Sequence, residues 1–218
     1  MGQAFIPAPS EHLQALRRVN PDLLRFAQKQ SPQTEATLEM DASIVETFKQ
    51  DALFSYQGSQ SFQPLSVRWA ELDLVANSEF RDGNVPAGYQ NLRVFQETLE
   101  VLPEGVQKVY LRSDTAAYQK DLLSYCAAGQ NERFGVIEFA VGADVTEEFK
   151  KAVAEVEGKE WHSLEREIEG RKVATGQEWA EVCFWSRISS TWPTCFFSTH
   201  CRLNPILINY CSDQVLSR

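Results

Sequence analysis

The chain has 218 residues, of which 43% are hydrophobic, and its formal net charge is -9 at pH 7. This length and apolar content suffice to bury the core of one sizeable domain, with room for an appendage. The acidity argues against a free-standing module that binds duplex DNA through many Lys and Arg contacts, but it leaves open a catalytic domain whose acids bind divalent cations.

Residues 10–30 are predicted to form two short helices that join near Asn20-Pro21. Ser10 and Asn20 suit the position that caps a helix start, and Pro21 suits the first helical position. The segment also has a local positive balance, which comes from Arg17, Arg18, Arg25 and Lys29. These side chains form either a face that contacts phosphates or a solvated helix surface, and the sequence leaves both interpretations open.

Residues 35–43 show the alternation of a strand that ends on an acid. Leu38 and Met40 point to one side of this strand, and Asp41 points to the other. A strand whose last residues include an acid places that acid at the edge of the sheet. The polar segment 44–61 follows, and it can loop over this edge.

Two further strands are predicted at residues 65–69 and 72–80, separated by a tight turn. Three neighbouring strands with short connections form an antiparallel meander. A helix then begins at Pro86 and ends before Pro103. Its buried stripe consists of Tyr89, Leu92, Phe95, Leu99 and Leu102.

Residues 107–126 form another strand that stops on an acid, and the chain then turns directly into a helix. Val109 and Leu111 alternate with polar neighbours, as a strand requires. Asp114 therefore stands at the carboxyl end of a strand, where ligands and metal ions collect in sheets backed by helices. The helix that follows is indicated by the spacing of Tyr118, Leu122 and Cys126.

The order of these elements brings the two acids together. A crossover through a helix places the strand before Asp114 beside the first strand and parallel to it. Asp41 and Asp114 then lie on adjacent strands at one edge of the sheet, where they can share a metal ion. A simpler interpretation is that Asp41 caps residues 42–50 and Asp114 caps a helix from residue 116. Spacing alone does not decide between these interpretations.

Five blocks of sequence, in unbroken order between residues 34 and 183, carry a family resemblance. They are TLEMDASIVETFK, SEFRDGNVPAGYQNLRVFQETLEVLP, VYLRSDTAAYQKDLLSYC, NERFGVIEFAVG and GQEWAEVCF. Together they resemble the group-1 DDE domain of the transposases of bacterial insertion sequences, over about two thirds of the chain. Several long blocks that match in series are more specific than one short motif.

The resemblance implies an α/β fold of the ribonuclease-H-like type: a mixed sheet with an antiparallel meander, a helix and a parallel fourth strand. It implies that Asp41 and Asp114 are the first two catalytic acids and ligands of Mg2+ or Mn2+. The implied reaction is metal-dependent DNA strand cleavage and strand transfer at the ends of an insertion sequence, by a cytoplasmic protein that can form a homodimer. Two cations held by carboxylates stabilise the attacking and leaving oxygens of such a displacement.

The family's third acid, a glutamate on a late helix, has no counterpart that the sequence identifies. Residues 133–184 suit a strand, a helix capped by Asp144 or Thr146, and further strands, which is the start of a β-rich insertion. Glu178 and Glu181 fall within that insertion, so neither is assigned as the third acid. The expected domains are an N-terminal helical segment, the first part of the catalytic domain, the start of the insertion and an atypical tail, at residues 1–33, 34–132, 133–184 and 185–218.

The tail differs in composition from the rest of the chain. From residue 185 onward it contains no Glu or Lys and one Asp, and the resemblance also stops there. We expect a C-terminally truncated or frameshifted copy whose tail lacks stable order. A competing interpretation is a zinc site, although its residues lack the paired Cys-x2-Cys spacing. That set would be Cys183, Cys195, His200, Cys201 and Cys211.

Two function classes therefore stay open, a transposase catalytic fragment and a non-catalytic remnant that acts as a folded interaction module. No apolar run reaches membrane-spanning length, so we expect no membrane partner. The five cysteines are odd in number and irregular in spacing, so reduced thiols are expected. Glycine-rich phosphate loops and a nucleophile triad are not indicated by the sequence.

Overall fold

A computed structural model of the protein describes residues 6, 10–143, 146–168, 170–184, 194–199 and 206–210. Within these ranges, no helix combines the length and apolarity needed to cross a membrane. The helices are α1 (Glu11–Gln30), α2 (Asn91–Val101), α3 (Lys120–Ala127) and α4 (Glu147–Ala154). The strands are β1 (Glu35–Ala42), β2 (Val45–Glu46), β3 (Ser61–Phe62), β4 (Leu65–Trp69), β5 (Leu74–Glu79), β6 (Lys108–Ser113), β7 (Glu138–Ala143), β8 (His162–Ile168), β9 (Arg171–Phe184), β10 (Thr194–Thr199) and β11 (Ile206–Tyr210).

A mixed sheet organises the described part of the chain, with the strand order β5-β4-β1-β6-β7-β11-β10-β9-β8. β4 pairs antiparallel with both β1 and β5, as the predicted meander requires. β1 pairs parallel with β6, which in turn pairs parallel with β7. The mixed α/β class predicted from the sequence is confirmed, and the crossover through α2 returns the chain beside β1.

The core lies against one face of this sheet. Leu38 of β1 and Leu111 of β6 are at most 1% exposed, and they belong to the same buried cluster as Phe95 of α2 and Leu122 of α3. Because side chains alternate along a strand, the residues between them form the other face. That second face is polar, since Glu39 forms ion pairs with Arg68 of β4 and Arg112 of β6. One face therefore packs on helices, and the other carries charges.

The N-terminal segment differs from its prediction. α1 is one helix with Pro21 inside it, so the predicted break at Asn20-Pro21 is wrong, and Asn20 does not cap a second helix. The Asn20 Nδ2 atom instead donates to the carbonyls of Val75, at 3.1 Å, and Ala76, at 2.6 Å, on the edge strand β5. A proline in a helix interior loses one backbone hydrogen bond, and the contacts to β5 together with the buried Leu24 offset that loss.

The described sheet continues beyond residue 132, because β7 pairs with β6. Thr146 caps α4, since its Oγ1 atom accepts a hydrogen bond from the Phe149 amide at 3.2 Å. Asp144, the other residue predicted as a possible cap of this helix, lies outside the described residues. In the tail, β10 pairs with β9 and β11 pairs with β7. The other residues after 184 lie outside the described ranges, so the predictions of four domains and of a tail without stable order stay predictions.

Candidate functional site

The register of β1 and β6 brings Asp41 and Asp114 to the carboxyl ends of these two neighbouring strands, on the same side of the sheet. Met40 pairs with Ser113, and each of these residues is followed by one of the two acids. The Ser113 Oγ atom donates to the Met40 carbonyl at 2.6 Å, directly before the acids. Adjacent strands lie about 4.8 Å apart, so the two acids stand on neighbouring backbones at nearly the same level.

Alternation also places the two side chains on one face. Asp41 lies two residues after Glu39 and Asp114 lies two residues after Arg112, and both pairs belong to the polar face of the sheet. Glu39 is engaged by two arginines, whereas Asp41 and Asp114 are exposed to solvent. The two exposed carboxylates are therefore the accessible anionic groups at this edge of β1 and β6.

Asp114 is held by the turn that follows it. It precedes a 3-10 turn at Thr115–Ala117, and its Oδ1 atom accepts a hydrogen bond from the Ala116 amide at 3.0 Å. The interpretation of Asp114 as a cap is thus confirmed, although it caps this turn and not a helix from residue 116. One carboxylate oxygen is used by the cap, which leaves the other for a ligand.

Asp41 has a different setting. Its Oδ2 atom accepts a hydrogen bond from the Ser43 hydroxyl at 3.2 Å. The interpretation of Asp41 as a helix cap is wrong, because residues 42–50 contain the strand β2 and no helix. Asp41 is therefore the penultimate residue of β1 and does not begin a helix.

The segment after Asp41 is a hydrogen-bonded hairpin. β2 pairs with β3, and the Leu53 amide donates to the buried Asp82 carboxylate at 2.7 Å. We call residues 45–62 the aromatic arm, because its exposed side chains include Phe48, Phe54 and Tyr56. From the sequence, this polar segment is expected to be able to loop over the site. Its own strand pairing and its hydrogen bond to Asp82 give this segment a defined structure.

Behind Asp114, two amide side chains hold the turn from the opposite side. Asn91, the first residue of α2, donates from Nδ2 to the Ala116 carbonyl at 3.2 Å. Gln119 donates from Nε2 to the same carbonyl at 3.0 Å and also to the carbonyl of Gly88. Neither residue is predicted from the sequence. The signal that could have found them is the Pro-Ala-Gly-Tyr-Gln run before α2, since a glycine there indicates a close backbone approach.

A buried ion cluster lies at the end of β5. Glu79 is bonded to Arg81 at 2.8 Å and also to Arg93 of α2. The Arg81 side chain is 0% exposed, and desolvation by burial lowers its pKa, while its hydrogen bond to Glu79 opposes that shift. Because each charge has a partner within the protein, this cluster is suited to holding the fold and not to binding a cation.

The carboxyl end of β1 and β6, with Asp41 and Asp114, offers the type of ligand that a hard divalent cation prefers. Carboxylate oxygens are the preferred ligands of Mg2+ and Mn2+, which keep several water ligands and need few protein ligands. Within the residues that the structure describes, no group of three or more His, Cys, Asp or Glu side chains could hold a metal ion. Glu178 is exposed on β9, and the side chain of Glu181 lies outside the described part. The side chains of the candidate zinc ligands also lie outside the described part, so the zinc interpretation stays a prediction.

Comparisons with known proteins assign neither a family nor an activity to the chain. No protein-family model matches the chain, and no curated protein matches it. Among solved structures, one that matches is a cryo-EM structure of piggyBac transposase in a synaptic complex with hairpin DNA, at 11% sequence identity and a TM-score of 0.44. The match covers 94% of this chain and 41% of that chain. A likeness at this level does not assign an activity or a partner.

Proposed function

We propose that this chain is a fragment of the catalytic domain of a DDE-type transposase with a ribonuclease-H-like fold, incomplete without the third acid, and that Asp41 and Asp114 bind Mg2+ or Mn2+ at its site. The observation that carries the proposal is the pairing of Met40 with Ser113, which puts an acid at the carboxyl end of each of two adjacent parallel strands. The sequence blocks around both acids resemble the catalytic segments of insertion-sequence transposases. The two lines of argument are independent, because the register follows from strand pairing and not from family likeness.

The chemistry proposed is phosphodiester cleavage and strand transfer at the ends of an insertion sequence. Bound divalent cations would supply Lewis-acid stabilisation of the attacking and leaving oxygens in an in-line displacement. Asp41 and Asp114 hold the site in place from neighbouring strands. Asp114 keeps one oxygen on the Ala116 amide and presents the other, so its carboxylate is oriented before a ligand arrives.

The charge distribution bears on how DNA would reach these acids. The chain has a net charge of -9, so its overall field repels phosphates. The exposed arginines Arg17 and Arg18 of α1 give that helix a local positive balance. We therefore propose weak DNA binding by the isolated chain and expect the affinity to fall further as the salt concentration rises. A homodimer and a cytoplasmic location remain predictions from the resemblance.

The test is Mn2+-dependent nicking of a supercoiled plasmid that carries insertion-sequence ends. The variants are Asp41→Asn and Asp114→Asn, with Asp73→Asn as the control, because Asp73 is an exposed acid in the turn between β4 and β5, at the opposite edge of the sheet. We expect each site variant to lose at least about 100-fold in nicking rate, since a lost cation removes several kcal/mol of transition-state stabilisation. Equal nicking by all four proteins would contradict the proposal.

A second candidate function is a non-catalytic remnant that binds full-length transposase or DNA without cutting it. It is favoured by the finding that the described residues contain no group of three acids suited to a metal. In that case the unaltered chain shows no nicking under any divalent cation. Added to full-length transposase, it would lower that enzyme's nicking rate, which measures the interaction directly.

A further inference from the structure

The backbone of Ala116 links Asp114 to two other parts of the chain. Its N–H donates to the Asp114 Oδ1 atom at 3.0 Å. Its carbonyl accepts from Asn91 at 3.2 Å and from Gln119 at 3.0 Å. The N–H and the carbonyl of Ala116 belong to successive peptide groups that join at its Cα, and both lie in the 3-10 turn Thr115–Ala117. Because the turn fixes the dihedral angles between these two groups, the amide side chains that hold the carbonyl also restrain the N–H. The orientation of the Asp114 carboxylate thus depends on Asn91 and Gln119.

The Gln119 amide is itself enclosed. It also donates to the carbonyl of Gly88, and a Cβ atom added at Gly88 would lie 2.4 Å from the Gln119 Nε2 atom and 3.0 Å from the Ala116 carbonyl oxygen. Glycine is therefore needed at residue 88 for the backbone to approach this closely. A larger residue there would push the amide away from the carbonyls that it bridges.

Asn91 is more deeply buried than Gln119. It is 1% exposed, and its Oδ1 atom has no hydrogen-bond partner within the described residues. Burying a carbonyl oxygen without a hydrogen bond costs free energy, so the bond that the Asn91 amide group does donate is important for holding this side chain in place. The bond that Asn91 forms is the one to Ala116.

We propose that Gln119 and Asn91 are positioning residues that set the cation affinity of the site through Asp114, an inference that rests on the proposed function of Asp114 as a metal ligand. They hold the Ala116 carbonyl and thereby the turn around it, and the Ala116 N–H of that turn keeps one Asp114 oxygen occupied and directs the other toward the end of the strands shared with Asp41. Without them, the turn can rotate, and water can replace the Ala116 amide at Oδ1. The carboxylate then has to be ordered when the cation binds, which weakens binding.

The experiment compares Gln119→Met with Gln130→Met in the full chain. Methionine keeps the length of glutamine and adds no charge, so the first variant removes only the two donated hydrogen bonds. Gln130 is an exposed glutamine beyond the end of α3, and its replacement is the matched control. Gly88→Ala is a second test, because it displaces the same amide without changing residue 119.

Two quantities are measured on each protein, together with its thermal midpoint. The first is the dissociation constant for Mn2+ alone, by electron paramagnetic resonance. The second is the hydrogen-exchange rate of the Ala116 amide in the metal-free protein, by NMR. For Gln119→Met and Gly88→Ala we expect about tenfold weaker Mn2+ binding and faster Ala116 exchange, at an unchanged thermal midpoint. The control should match the unaltered protein in all three.

Unchanged Mn2+ affinity in Gln119→Met and Gly88→Ala, in a protein that does bind Mn2+, would overturn the positioning proposal. Failure of the unaltered protein to bind Mn2+ would overturn the proposed function instead. If the unaltered protein does not bind Mn2+, the exchange rate of the Ala116 amide alone tests whether Gln119 orders the turn after Asp114. Faster exchange in both variants supports this ordering, and unchanged exchange contradicts it.

Discussion

The carboxylate of Glu79 and those of Asp41 and Asp114 belong to one sheet but have opposite surroundings. The side chain of Glu79 is 5% exposed and is paired with Arg81 and Arg93. Asp41 and Asp114 are exposed, and each is bonded to one nearby donor, the hydroxyl of Ser43 or the amide of Ala116. The charge of Glu79 is neutralised by arginines within the protein, whereas the charges of Asp41 and Asp114 are not.

The difference separates acids that hold the fold from acids that can bind a ligand. A buried carboxylate needs a partner, because desolvating an unpaired charge costs several kcal/mol. An exposed carboxylate at a strand end is solvated already, so it costs the fold little and keeps an oxygen available. If this comparison is right, the two sets respond to mutation in opposite ways: the first changes stability, and the second changes cation binding.

The largest expected effect is on stability at the buried cluster. Arg81→Met removes a partner of Glu79 in a place with no solvent exposure, and we expect a loss of about 3–5 kcal/mol in the free energy of unfolding. Arg68→Met is the control, because Arg68 is 44% exposed and its ion pairs should contribute about 1 kcal/mol or less. Urea denaturation measures both, and equal losses would remove the distinction between buried and exposed charges.

The next effect is stabilisation by the cation. Mn2+ at 100 times its dissociation constant should raise the free energy of unfolding of the unaltered protein by about 2.7 kcal/mol, because it binds only the folded state. Asp41→Asn and Asp114→Asn should show no such increase, whereas Asp73→Asn should show all of it. Stabilisation of all four proteins by the same amount would place the cation elsewhere.

A smaller effect concerns a buried polar group that has no ionic partner. Burial raises the pKa of Cys126 from 9.0 to about 12, so the folded state keeps the thiol protonated at pH values where the unfolded chain has lost the proton. The contribution of this pKa shift to the free energy of unfolding is complete below pH 9. It is lost as the pH rises from about 9 towards about 12, and the free energy of unfolding then falls by at most about 1.4 kcal/mol per pH unit. Urea denaturation between pH 8 and pH 10 should show a steeper loss for the unaltered protein than for Cys126→Val.

The smallest expected effect is that of the site acids on the metal-free fold. Asp41→Asn and Asp114→Asn should change the free energy of unfolding by less than about 1 kcal/mol, because both side chains are exposed and asparagine also suits a cap. Urea denaturation in a chelator measures this. A large loss in either variant would mean that the acid holds the fold, as Glu79 does.

The placement of the two acids could be predicted because it follows from local rules. The alternation around Met40 and around Leu111 indicates strands, and the crossover rule puts those strands side by side. The start of α2 was predicted less well. The helix begins at Asn91 and not at Pro86, because Pro86 begins a turn closed by the Tyr89 amide at 2.9 Å, and Gln90 has a φ of 51°.

Contacts between distant residues could not be predicted in the same way. Gln119 meets Gly88 across 31 positions, and no periodicity in either segment indicates that contact. The continuity of α1 through Pro21 has the same origin, since the local signal for a break is outweighed by contacts with β5. The buried state of Arg81 was missed for this reason too, because arginine beside a turn is ordinarily exposed.

The central claim is that Asp41 and Asp114 hold a common cation. The most direct measurement is anomalous diffraction from crystals of the metal-free protein soaked in Mn2+, because the anomalous signal locates the ion without assumption about its ligands. We predict a peak at the carboxyl edge of β1 and β6 that contacts oxygens of both Asp41 and Asp114. A peak bound to one acid alone, or Mn2+ found only at other sites, would contradict the account.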